Sequence, residues 1–329
     1  MKKDVLETLK YNKGSFISGE ELSNRLGVTR TAIWKHINQL KEEGYEIESV
    51  SRKGYRLMGE PDLLNQHALQ LELKTKTIGR RIVHYDTIDS TNTVAKKIAA
   101  EGAEEGAVVI AEEQTGGRGR LGRQWVSPKG AGIWMSLVLR PSIEPAEAAK
   151  ITQIAAAAVT LAIRRVTGCE AGIKWPNDII LHKKKVCGIL TEMGAELNSV
   201  SYIVVGIGIN ANVDVALFPE EVKRIATSIK DCVGNNISRK EIVLHILKEF
   251  EDLYLDFIYT KSIKKSVEIC KAYSVTLGNT VKIINRDQTI IAEAVDLTEE
   301  GELIIRNQEG QMEKIISGEV SVRGISDYV

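Results

Sequence analysis

Apolar residues recur every three or four positions in three segments near the N-terminus, which is the spacing of amphipathic helices. Segment by segment they are Val5, Leu6 and Leu9; Leu22 and Leu26; and Ile33, Ile37 and Leu40. Ser18 and Thr29 precede the second and third segments as helix caps, with Glu21 as a capping-box partner of Ser18. Gly27 suits the turn between these helices, and Gly44 ends the third.

After these helices, the alternating stretches YEIESV and YRLM flank the basic turn SRKG and predict a hairpin. Three helices followed by such a hairpin predict a winged helix-turn-helix over residues 1–60. The candidate DNA contacts are Thr29, Arg30, Thr31, Trp34, Lys35 and His36 on the third helix, and Arg52 and Lys53 at the hairpin tip. The alternative is a small packing module with a solvated basic face.

Beyond the linker MGEPDLL the pattern becomes mixed. Strands are predicted at RRIVHYDTI, GAVVIAEEQT, GIWMSLVLR and SYIVVGIGIN, and a strand, Lys-rich turn and strand at IKWPNDIILHKKKVCGILTEM. Helices are predicted at STNTVAKKIAA, EAAKITQIAAAAVTLAIRRVTG and RKEIVLHILKEFEDLYLDFI. From about Gly278, short strands with turn residues predict a small β barrel. The fold class is therefore a multidomain α+β protein, with expected domains 1–60, 61–272 and 273–329.

The stretch TGGRGRLGR (Thr115–Arg123) contains the pattern G-x-G-x-x-G. A dinucleotide-binding turn needs a helix directly after the glycines, whereas here a strand is predicted to follow. A Walker A loop is absent from the sequence. Glycines interleaved with Arg118, Arg120 and Arg123 instead predict a loop that wraps an anionic ligand. A solvated basic turn and an RNA-binding patch are the alternatives.

Three further segments carry candidate chemistry. KWPND leads into a strand whose return partner carries Lys185, Gly188 and Glu192, although lysines are also common in hairpin turns. GIGIN ends an apolar strand with glycines that let a ligand approach the sheet. DSTN supplies hydroxyl and amide groups at a predicted helix N-terminus, where Ser and Thr are also ordinary caps. Trp175 alone is more typical of a core residue.

Composition narrows the class of protein. The 329 residues carry 44 Lys+Arg and 44 Asp+Glu, so no global basic excess indicates nucleic acid. Residues 1–58 hold eleven basic and eight acidic residues, a net charge of +3 that must act through one face. Four scattered cysteines predict neither a zinc site nor a disulfide framework. The charged N-terminus and the short apolar run Ala155–Ile163 predict a cytoplasmic protein without a membrane span.

Taken together, DSTN, EEQTGGRGRLGRQW, KWPND, KKVCGIL.E and GIGIN, in this order, resemble the biotin–protein ligases. With the N-terminal winged helix, the chain is similar to the bifunctional form that is both ligase and biotin-operon repressor, over essentially its full length. The resemblance implies a class II synthetase-like central domain and an SH3-like C-terminal barrel. Lipoate–protein ligases share this fold, but the GRGRLGR loop and the winged domain favour biotin.

The resemblance also implies the reaction and its residues. Biotin and ATP give biotinyl-5′-adenylate, with Mg²⁺ on the pyrophosphate, and biotin passes to a lysine of the biotin carboxyl carrier protein or domain of a carboxylase. The implied biotin contacts are Ser90, Thr91, Asn92, Gln114, Arg118, Gly119, Arg120, Lys185, Gly188 and Leu190. The implied ATP or adenylate contacts are Arg120, Arg123, Trp125, Lys185 and Asn210. Lys185, Arg120 and Arg118 are the implied catalytic residues, and no protein-bound metal is expected.

Regulation is implied as well. The segment Ala211–Ile225 lies where the family has a loop over the adenylate. The adenylate-bound chain is expected to form a homodimer through its central sheet, and the two winged helices would then bind a palindromic operator DNA. A ligand-sensing transcription factor without ligase activity is the alternative from a different functional class.

Overall fold

The computed structural model describes residues 1–196, 199–285, 288–317 and 320–324. The chain divides into two compact units, an N-terminal unit Met1–Leu63 and a C-terminal unit Leu64–Val329. Each unit has its own buried apolar residues.

The N-terminal unit consists of three helices and a hairpin, as predicted. The elements are α1 Lys2–Tyr11, α2 Gly19–Leu26, α3 Arg30–Glu42, β1 Glu46–Val50 and β2 Gly54–Gly59. The predicted apolar positions are buried, except that Leu26 is half-buried. Both predicted caps are confirmed: Ser18 Oγ accepts from Glu21 N at 3.0 Å, and Thr29 Oγ1 accepts from Ala32 N at 3.2 Å. These caps satisfy N–H groups that a helix leaves without partners at its start.

The hairpin tip is fixed by backbone geometry and by one aromatic ring. Gly54 has φ +103°, and a Cβ there would collide with the backbone at Ile17, so the turn requires glycine. Lys53 Nζ lies 5.8 Å and the Arg56 guanidinium 4.5 Å from the centre of the Phe16 ring. An aromatic ring attracts a cation over its face by about 0.5–1 kcal/mol at an exposed site, so Phe16 helps to hold the two side chains in place.

The C-terminal unit contains two sheets and seven helices in its described part. The elements are α4 Gln66–Gln70, β3 Ile82–Ile88, α5 Thr91–Ala100, β4 Val108–Gln114, β5 Ile133–Leu139, α6 Ala148–Thr167, β6 Gly172–Lys174, β7 Asp178–Leu181, β8 Lys184–Glu196, β9 Ser199–Ile209, α7 Glu220–Lys223, α8 Ile229–Val233, α9 Arg239–Thr260, α10 Lys264–Ala272, β10 Thr280–Asn285, β11 Gln288–Leu297, β12 Leu303–Arg306, β13 Met312–Ile315 and β14 Val320–Gly324.

The central sheet has the strand order β3-β4-β5-β9-β8-β7-β6, in which β3 and β4 are parallel and the other pairs antiparallel. Helices α6 and α9 pack together within the large core on one face, and α5 packs on the other. Alternate residues of β9 point to opposite faces of the sheet. Val204 packs with residues of α5, whereas Ile203 and Val205 belong to the large core. The strands therefore read as continuous apolar runs.

Within the described residues, one helix, Pro145–Thr167, is long and apolar enough to cross a membrane by length and composition. The sequence analysis considered only the apolar run Ala155–Ile163 and did not predict a helix of this length and composition. In the structure 61% of the helix's apolar stretch is buried. Its alanines fill the space under the central sheet, which is how a core helix meets the same criterion.

The C-terminal strands form one antiparallel sheet of order β13-β12-β11-β10-β14. Its apolar residues Val281, Ile283 and Leu303 belong to the same core as the central sheet. Trp175 is 3% exposed and donates from Nε1 to Gly301 O at 2.9 Å, so its side chain is a core residue that joins the two sheets. This junction brings one edge of the C-terminal sheet next to the segments with candidate chemistry.

Candidate functional site

The candidate residues of the C-terminal unit meet in one cavity of about 200 Å³. Every residue that the sequence implied for biotin or adenylate lines it: Ser90, Thr91, Asn92, Gln114, Arg118, Gly119, Arg120, Arg123, Trp125, Lys185, Gly188, Leu190 and Asn210. They come from four segments separated along the chain. The sheet order explains the meeting, because β4, β5, β9, β8 and β7 are consecutive neighbours.

Three glycines on β8 and β9 form the floor of this cavity. A Cβ at Gly206 would collide with Asn92 Oδ1, one at Gly208 would lie 2.7 Å from Trp125 Nε1, and one at Gly188 would lie 3.1 Å from Lys185 Nζ. The glycines of GIGIN were expected to let a ligand approach the sheet closely. In the structure the side chains of Asn92 and Trp125 approach it at these positions. Glycine is required at these positions because each admits a polar or aromatic group against the sheet.

The polar end of the cavity lies at the start of α5. Ser90, Thr91 and Asn92 are 4%, 4% and 5% exposed. Ser90 occupies the N-cap position, yet its hydroxyl makes no capping hydrogen bond. Gln114 Oε1 instead accepts from Thr91 N at 2.8 Å. The ordinary capping explanation for DSTN therefore does not account for Ser90.

The glycine–arginine loop leaves β4, forms a three-residue 3₁₀ turn at Arg120–Gly122 and returns to β5. No α-helix follows its glycines, so the dinucleotide-turn reading is excluded by the structure as well. Gly119 N donates to Arg123 O at 2.7 Å and Trp125 N donates to Gly117 O at 2.9 Å, so backbone bonds close the loop. Leu121 has φ 57°, a left-handed conformation that is costly for a residue with a Cβ.

The arginines of this loop differ in their surroundings. Arg118 is exposed and donates to Thr93 Oγ1 at 2.7 Å. Arg120 is half-buried and donates to Asn177 Oδ1 at 3.0 Å. Burial lowers the pKa of the Arg120 guanidinium, against the opposing charge of Asp178. An anion entering the cavity would relieve the cost of burying this cation.

Lys185 forms the second cationic centre. Its Nζ lies 2.6 Å from Asp178 Oδ1 and 5.2 Å from the centre of the Trp125 ring. Asp178 supplies the carboxylate that lines the described part of the cavity, where the neighbouring charged side chains are all cationic. The ion pair holds Lys185 on the sheet floor, and a ligand carboxylate or phosphate would compete with Asp178 for it.

Lys174 is a site residue that the sequence analysis quoted in KWPND without giving it a role. It lies on β6, lines the cavity and is 4% exposed. Burial lowers its pKa to about 8, against the opposing charge of Asp178. Three neighbouring cations act in the same direction as burial: Lys185, Arg323 and Arg123. The cavity therefore has a cationic potential that favours anions.

Arg323 and Val322 on β14 also line the cavity, and sequence analysis missed both. No local pattern marks them, because they belong to the C-terminal sheet and reach the cavity only through its junction with the central domain. The wall also includes Asn177, Phe218, Val222, Ile225 and Ala226, and the last four follow the strand that ends in GIGIN.

Backbone hydrogen bonds join the segment after GIGIN to β8 at Lys185. Lys185 N donates to Ile225 O at 2.8 Å, and Thr227 N donates to Lys185 O at 2.9 Å. Asn210 Nδ2 donates to Thr227 O at 3.0 Å. Asn210 Oδ1 and Trp125 Nε1 are buried without a hydrogen-bond partner in the described structure. Two polar atoms of cavity residues are thus left available to a ligand.

The predicted DNA contacts lie on one helix and one turn of the N-terminal unit. Arg30, Thr31, Lys35 and the wing residues Arg52 and Lys53 are exposed. Trp34 is 58% exposed, which is unusual for so large an apolar side chain.

The other two predicted DNA contacts are already engaged within α3. Thr29 uses its hydroxyl as the helix cap, and the half-buried His36 has Nδ1 3.1 Å from Gln39 Oε1. Among the described residues of both units, no group of three or more His, Cys, Asp or Glu side chains is arranged to hold a metal ion.

Comparisons with known proteins agree with this organisation. The profile of the "Biotin/lipoate A/B protein ligase family" matches residues 85–210, an "HTH domain" profile matches 2–56, and the "Biotin protein ligase C terminal domain" profile matches 276–323. The chain is 40% identical over 98% of both chains to the "Bifunctional ligase/repressor BirA" of Bacillus spizizenii. It is 29% identical to the protein of that name from Escherichia coli, over 94% of both chains.

Solved structures show the same likeness. The biotin protein ligase from Aquifex aeolicus in complex with biotin and ATP is similar with a TM-score of 0.65 and 31% identity, over 74% of this chain and 99% of that one. An apo structure of the Aquifex enzyme has a TM-score of 0.62 and covers the same share of this chain. Sequence, domain content and fold thus agree, and the chain belongs to the biotin–protein ligase family, among its bifunctional ligase/repressors.

Proposed function

We propose that the chain activates biotin with ATP and transfers it to a lysine of a biotin carboxyl carrier protein or domain. In the first step a biotin carboxylate oxygen attacks the α-phosphorus, an acyl–phosphate bond forms, and the bond to the β-phosphate breaks to release pyrophosphate. In the second step the acceptor amine attacks the acyl carbon, a C–N bond forms, and AMP leaves while the amine loses a proton. No side-chain nucleophile is needed, because the attacking groups belong to the two substrates.

The cationic wall of the cavity supports the first step. A carboxylate and a triphosphate repel each other, and bringing them together requires positive charge placed where the negative charge gathers. The same cavity is lined by five cations: Arg120 and Arg123 on the glycine–arginine loop, Lys174 on β6, Lys185 on β8 and Arg323 on β14. Their charges lower the barrier only when the ligand lies between them.

The residues implied by the family divide this cavity into two parts. Ser90, Thr91, Asn92 and Gln114 would bind the ureido edge of biotin, and Gly188 and Leu190 would contact its ring. Arg118, Arg120 and Lys185 would act in catalysis, with Arg123, Trp125 and Asn210 at the adenylate. Mg²⁺ would be bound by the pyrophosphate rather than by a cluster of protein ligands.

One observation carries the proposal: the thirteen residues implied by the family resemblance line one cavity, and several of its lining side chains are cationic. The test incubates the protein with biotin, Mg²⁺ and ATP labelled at the α-phosphate. Labelled biotinyl-adenylate and pyrophosphate are expected, and addition of a carrier domain should consume the adenylate. If no biotinyl-adenylate forms, the chain is a ligand-sensing transcription factor instead.

The same assay with lipoate in place of biotin tests which of the two acids is the substrate. Faster turnover with lipoate would contradict the assignment of biotin.

The N-terminal unit supports a second activity, repression through operator DNA. Its exposed side chains include Arg30, Trp34 and Lys35 on α3 and Arg52 and Lys53 on the wing. The cations would bind phosphates, and residues at the start of α3 would reach base edges in the major groove. A gel-shift measurement with duplexes selected from a random pool should give a defined site, whereas binding of every duplex equally would contradict a repressor.

Dimerisation and domain limits complete the proposal. Strand β7 pairs with β8 only over Lys184–Gly188, and no described strand pairs with the outer edge of β8 beyond residue 189. Such an edge suits antiparallel pairing with a second copy. Adenylate-dependent homodimers should appear in sedimentation velocity. The proposed functional domains are 1–60 for DNA, 61–272 for catalysis and 273–329 for the C-terminal sheet, in a cytoplasmic protein.

A further inference from the structure

The motif KWPND places two neighbouring side chains against two cations of the cavity. Asp178 pairs with Lys185, with 2.6 Å between Oδ1 and Nζ. Asn177 Oδ1 accepts a hydrogen bond from Arg120 Nη1 at 3.0 Å. One cation is therefore held by a carboxylate and the other by a neutral amide. The family resemblance implied no role for this amide.

Asn177 is itself fixed by two hydrogen bonds to one residue of β8. Its backbone O accepts from Ile189 N at 3.0 Å, and its side-chain Nδ2 donates to Ile189 O at 2.9 Å. Asn177 is 8% exposed, so water has little access to this side chain. The amide therefore has a fixed place on the sheet before any ligand enters the cavity.

The orientation of the Asn177 amide follows from its partners. A backbone carbonyl oxygen only accepts hydrogen bonds, so the amide nitrogen must face Ile189 O. A guanidinium only donates, so the amide oxygen must face Arg120. The opposite orientation would place two acceptors together at Ile189 and two donors together at Arg120. Both contacts therefore assign Oδ1 to the arginine.

A fixed acceptor matters for an arginine on a loop. An arginine side chain without contacts populates many rotamers, and ordering it opposes ligand binding entropically. The hydrogen bond from Arg120 to Asn177 orders the half-buried guanidinium in advance. Charged groups that are already in place need no reorganisation when negative charge develops in a reaction.

The neutral character of the acceptor matters as well. Burial lowers the pKa of Arg120 and the nearby Arg123 acts in the same direction, while the charge of Asp178 opposes both. A carboxylate at position 177 would also order Arg120, but it would compete with an anionic ligand for the cation. An amide oxygen uses one of the five guanidinium N–H groups and adds no negative charge.

We infer that Asn177 is a positioning residue, which holds the Arg120 guanidinium in the cavity through a neutral acceptor and adds no charge of its own. The inference rests on the proposed function, because adenylate formation is the reaction in which Arg120 would stabilise negative charge. Asn177 acts through Arg120, so its contribution should disappear when Arg120 is absent.

A double-mutant cycle tests this dependence. Wild-type protein, Asn177→Ala, Arg120→Ala and the double variant are compared by release of labelled pyrophosphate at saturating biotin, ATP and Mg²⁺. Asn177→Ala should lower kcat about tenfold in the wild-type background. In the Arg120→Ala background the same substitution should lower kcat by less than about twofold, because the group that it orients is missing.

An equilibrium measurement repeats the cycle without turnover. The probe is a non-reactive biotinyl-adenylate analogue, and calorimetry gives its dissociation constant for the same four proteins. Asn177→Ala should weaken binding about tenfold when Arg120 is present, and by less than about twofold when it is not.

Asn177→Asp separates orientation from charge. Both Asn177→Ala and Asn177→Asp lose the hydrogen bond to Ile189 O, but the aspartate keeps the side-chain shape and an acceptor for Arg120. Its negative charge opposes the triphosphate, so KM for ATP should be about tenfold higher than in Asn177→Ala.

Thr276→Val is the matched control for the KWPND segment. Thr276 Oγ1 accepts from Trp175 N at 2.9 Å, and Thr276 is 2% exposed. This variant loses a buried hydrogen bond two residues from Asn177, and Thr276 does not line the cavity. Its kcat should stay within about twofold of wild type. Thermal unfolding of every variant shows which of them are folded.

The outcomes distinguish failure of the proposed function from failure of the inference. If wild-type protein releases no pyrophosphate with biotin, the proposed function is wrong. If wild-type protein is active and Asn177→Ala lowers kcat equally with and without Arg120, the positioning role is overturned. An equal loss in Thr276→Val also overturns it. If Asn177→Ala does not fold, Asn177→Asp decides, and a KM for ATP equal to that of wild type overturns the inference.

Discussion

The face of the N-terminal unit and the cavity of the C-terminal unit are built in opposite ways. The candidate DNA contacts lie within residues 29–53, on one helix and one turn, and most are exposed. The cavity residues extend from Ser90 to Arg323, and many are buried. The exposed face is formed by residues close together in sequence, and the fold only holds them rigid. The cavity forms only when segments far apart in sequence pack against each other. Apart from the helix cap Thr29, substitutions on the exposed face should change binding alone, whereas substitutions in the cavity should also change neighbouring groups.

Removing residues 1–60 gives the largest expected effect and tests whether the two regions act separately. Operator binding should be abolished, because all candidate DNA contacts are lost, while adenylate formation should remain. Gel-shift and pyrophosphate-release assays measure the two activities on the same preparation. Operator binding that survives the deletion would place the DNA site outside the N-terminal unit.

Lys185→Ala is the reciprocal change in the cavity. Losing a cation that stabilises developing negative charge should lower adenylate formation by about 100- to 1,000-fold. The N-terminal unit should keep its DNA-binding competence, because Lys185 lies in the other unit. Lys184→Ala is the matched control, since Lys184 Nζ donates to Lys223 O at 3.0 Å and is not a cavity residue. Unchanged turnover in Lys185→Ala would remove this residue from the site.

Trp34→Ala sharpens the description of the exposed face. An indole that is 58% exposed at the centre of α3 should contact bases, and its loss should weaken binding of the selected duplex by about 1–3 kcal/mol. Tyr11→Ala is the aromatic control, because Tyr11 is 82% exposed on α1. Fluorescence anisotropy measures both variants. Equal weakening by the two substitutions would indicate a general effect on the unit.

The lowered pKa of Lys174 should make ligand binding in the cavity depend on pH. Above about pH 8 this lysine is neutral in the free protein, and bound phosphate should restore its proton. Affinity for a non-reactive adenylate analogue should then fall by up to about tenfold per pH unit above pH 8. Calorimetry in buffers of different ionisation enthalpy should detect proton uptake on binding. Lys174→Arg should show a flat profile over the same range, and a steep profile in that variant would assign the proton to another group.

The same shift has a defined sign for stability. The unfolded chain keeps the Lys174 proton up to its ordinary pKa of 10.5, so between pH 8 and that value the unfolded state binds more protons. The contribution of Lys174 to the free energy of unfolding should therefore increase with pH over this interval.

Thr29→Ala gives the smallest expected effect and tests the local character of the DNA-binding face. Loss of the hydrogen bond from Ala32 N should lower the free energy of unfolding of the N-terminal unit by about 1 kcal/mol. Thr31→Ala removes an exposed hydroxyl that has no capping role, and it should change stability by less than about 0.5 kcal/mol. Urea unfolding followed by circular dichroism measures both.

Sequence alone determined the features that depend on a few neighbouring residues. The caps at Ser18 and Thr29, the helical spacing of Ile33 and Ile37, and the exclusion of a dinucleotide turn at Thr115–Arg123 all follow from local periodicity and hydrogen bonding. The glycines and arginines of Thr115–Arg123 by themselves predicted only a loop that wraps an anion, and the individual site residues came from the resemblance to the biotin–protein ligases.

Only the tertiary structure decided which side chains from distant segments contact each other. Asn92 lies against Gly206, Trp125 lies against Gly208, and Arg323 reaches the cavity from the last strand. Glu192 and Ser136 meet Asn92 only because strands that are far apart in sequence are neighbours in the sheet. The physical reason is that periodicity specifies which face of an element is buried, while the order and register of the strands specify which buried face meets which.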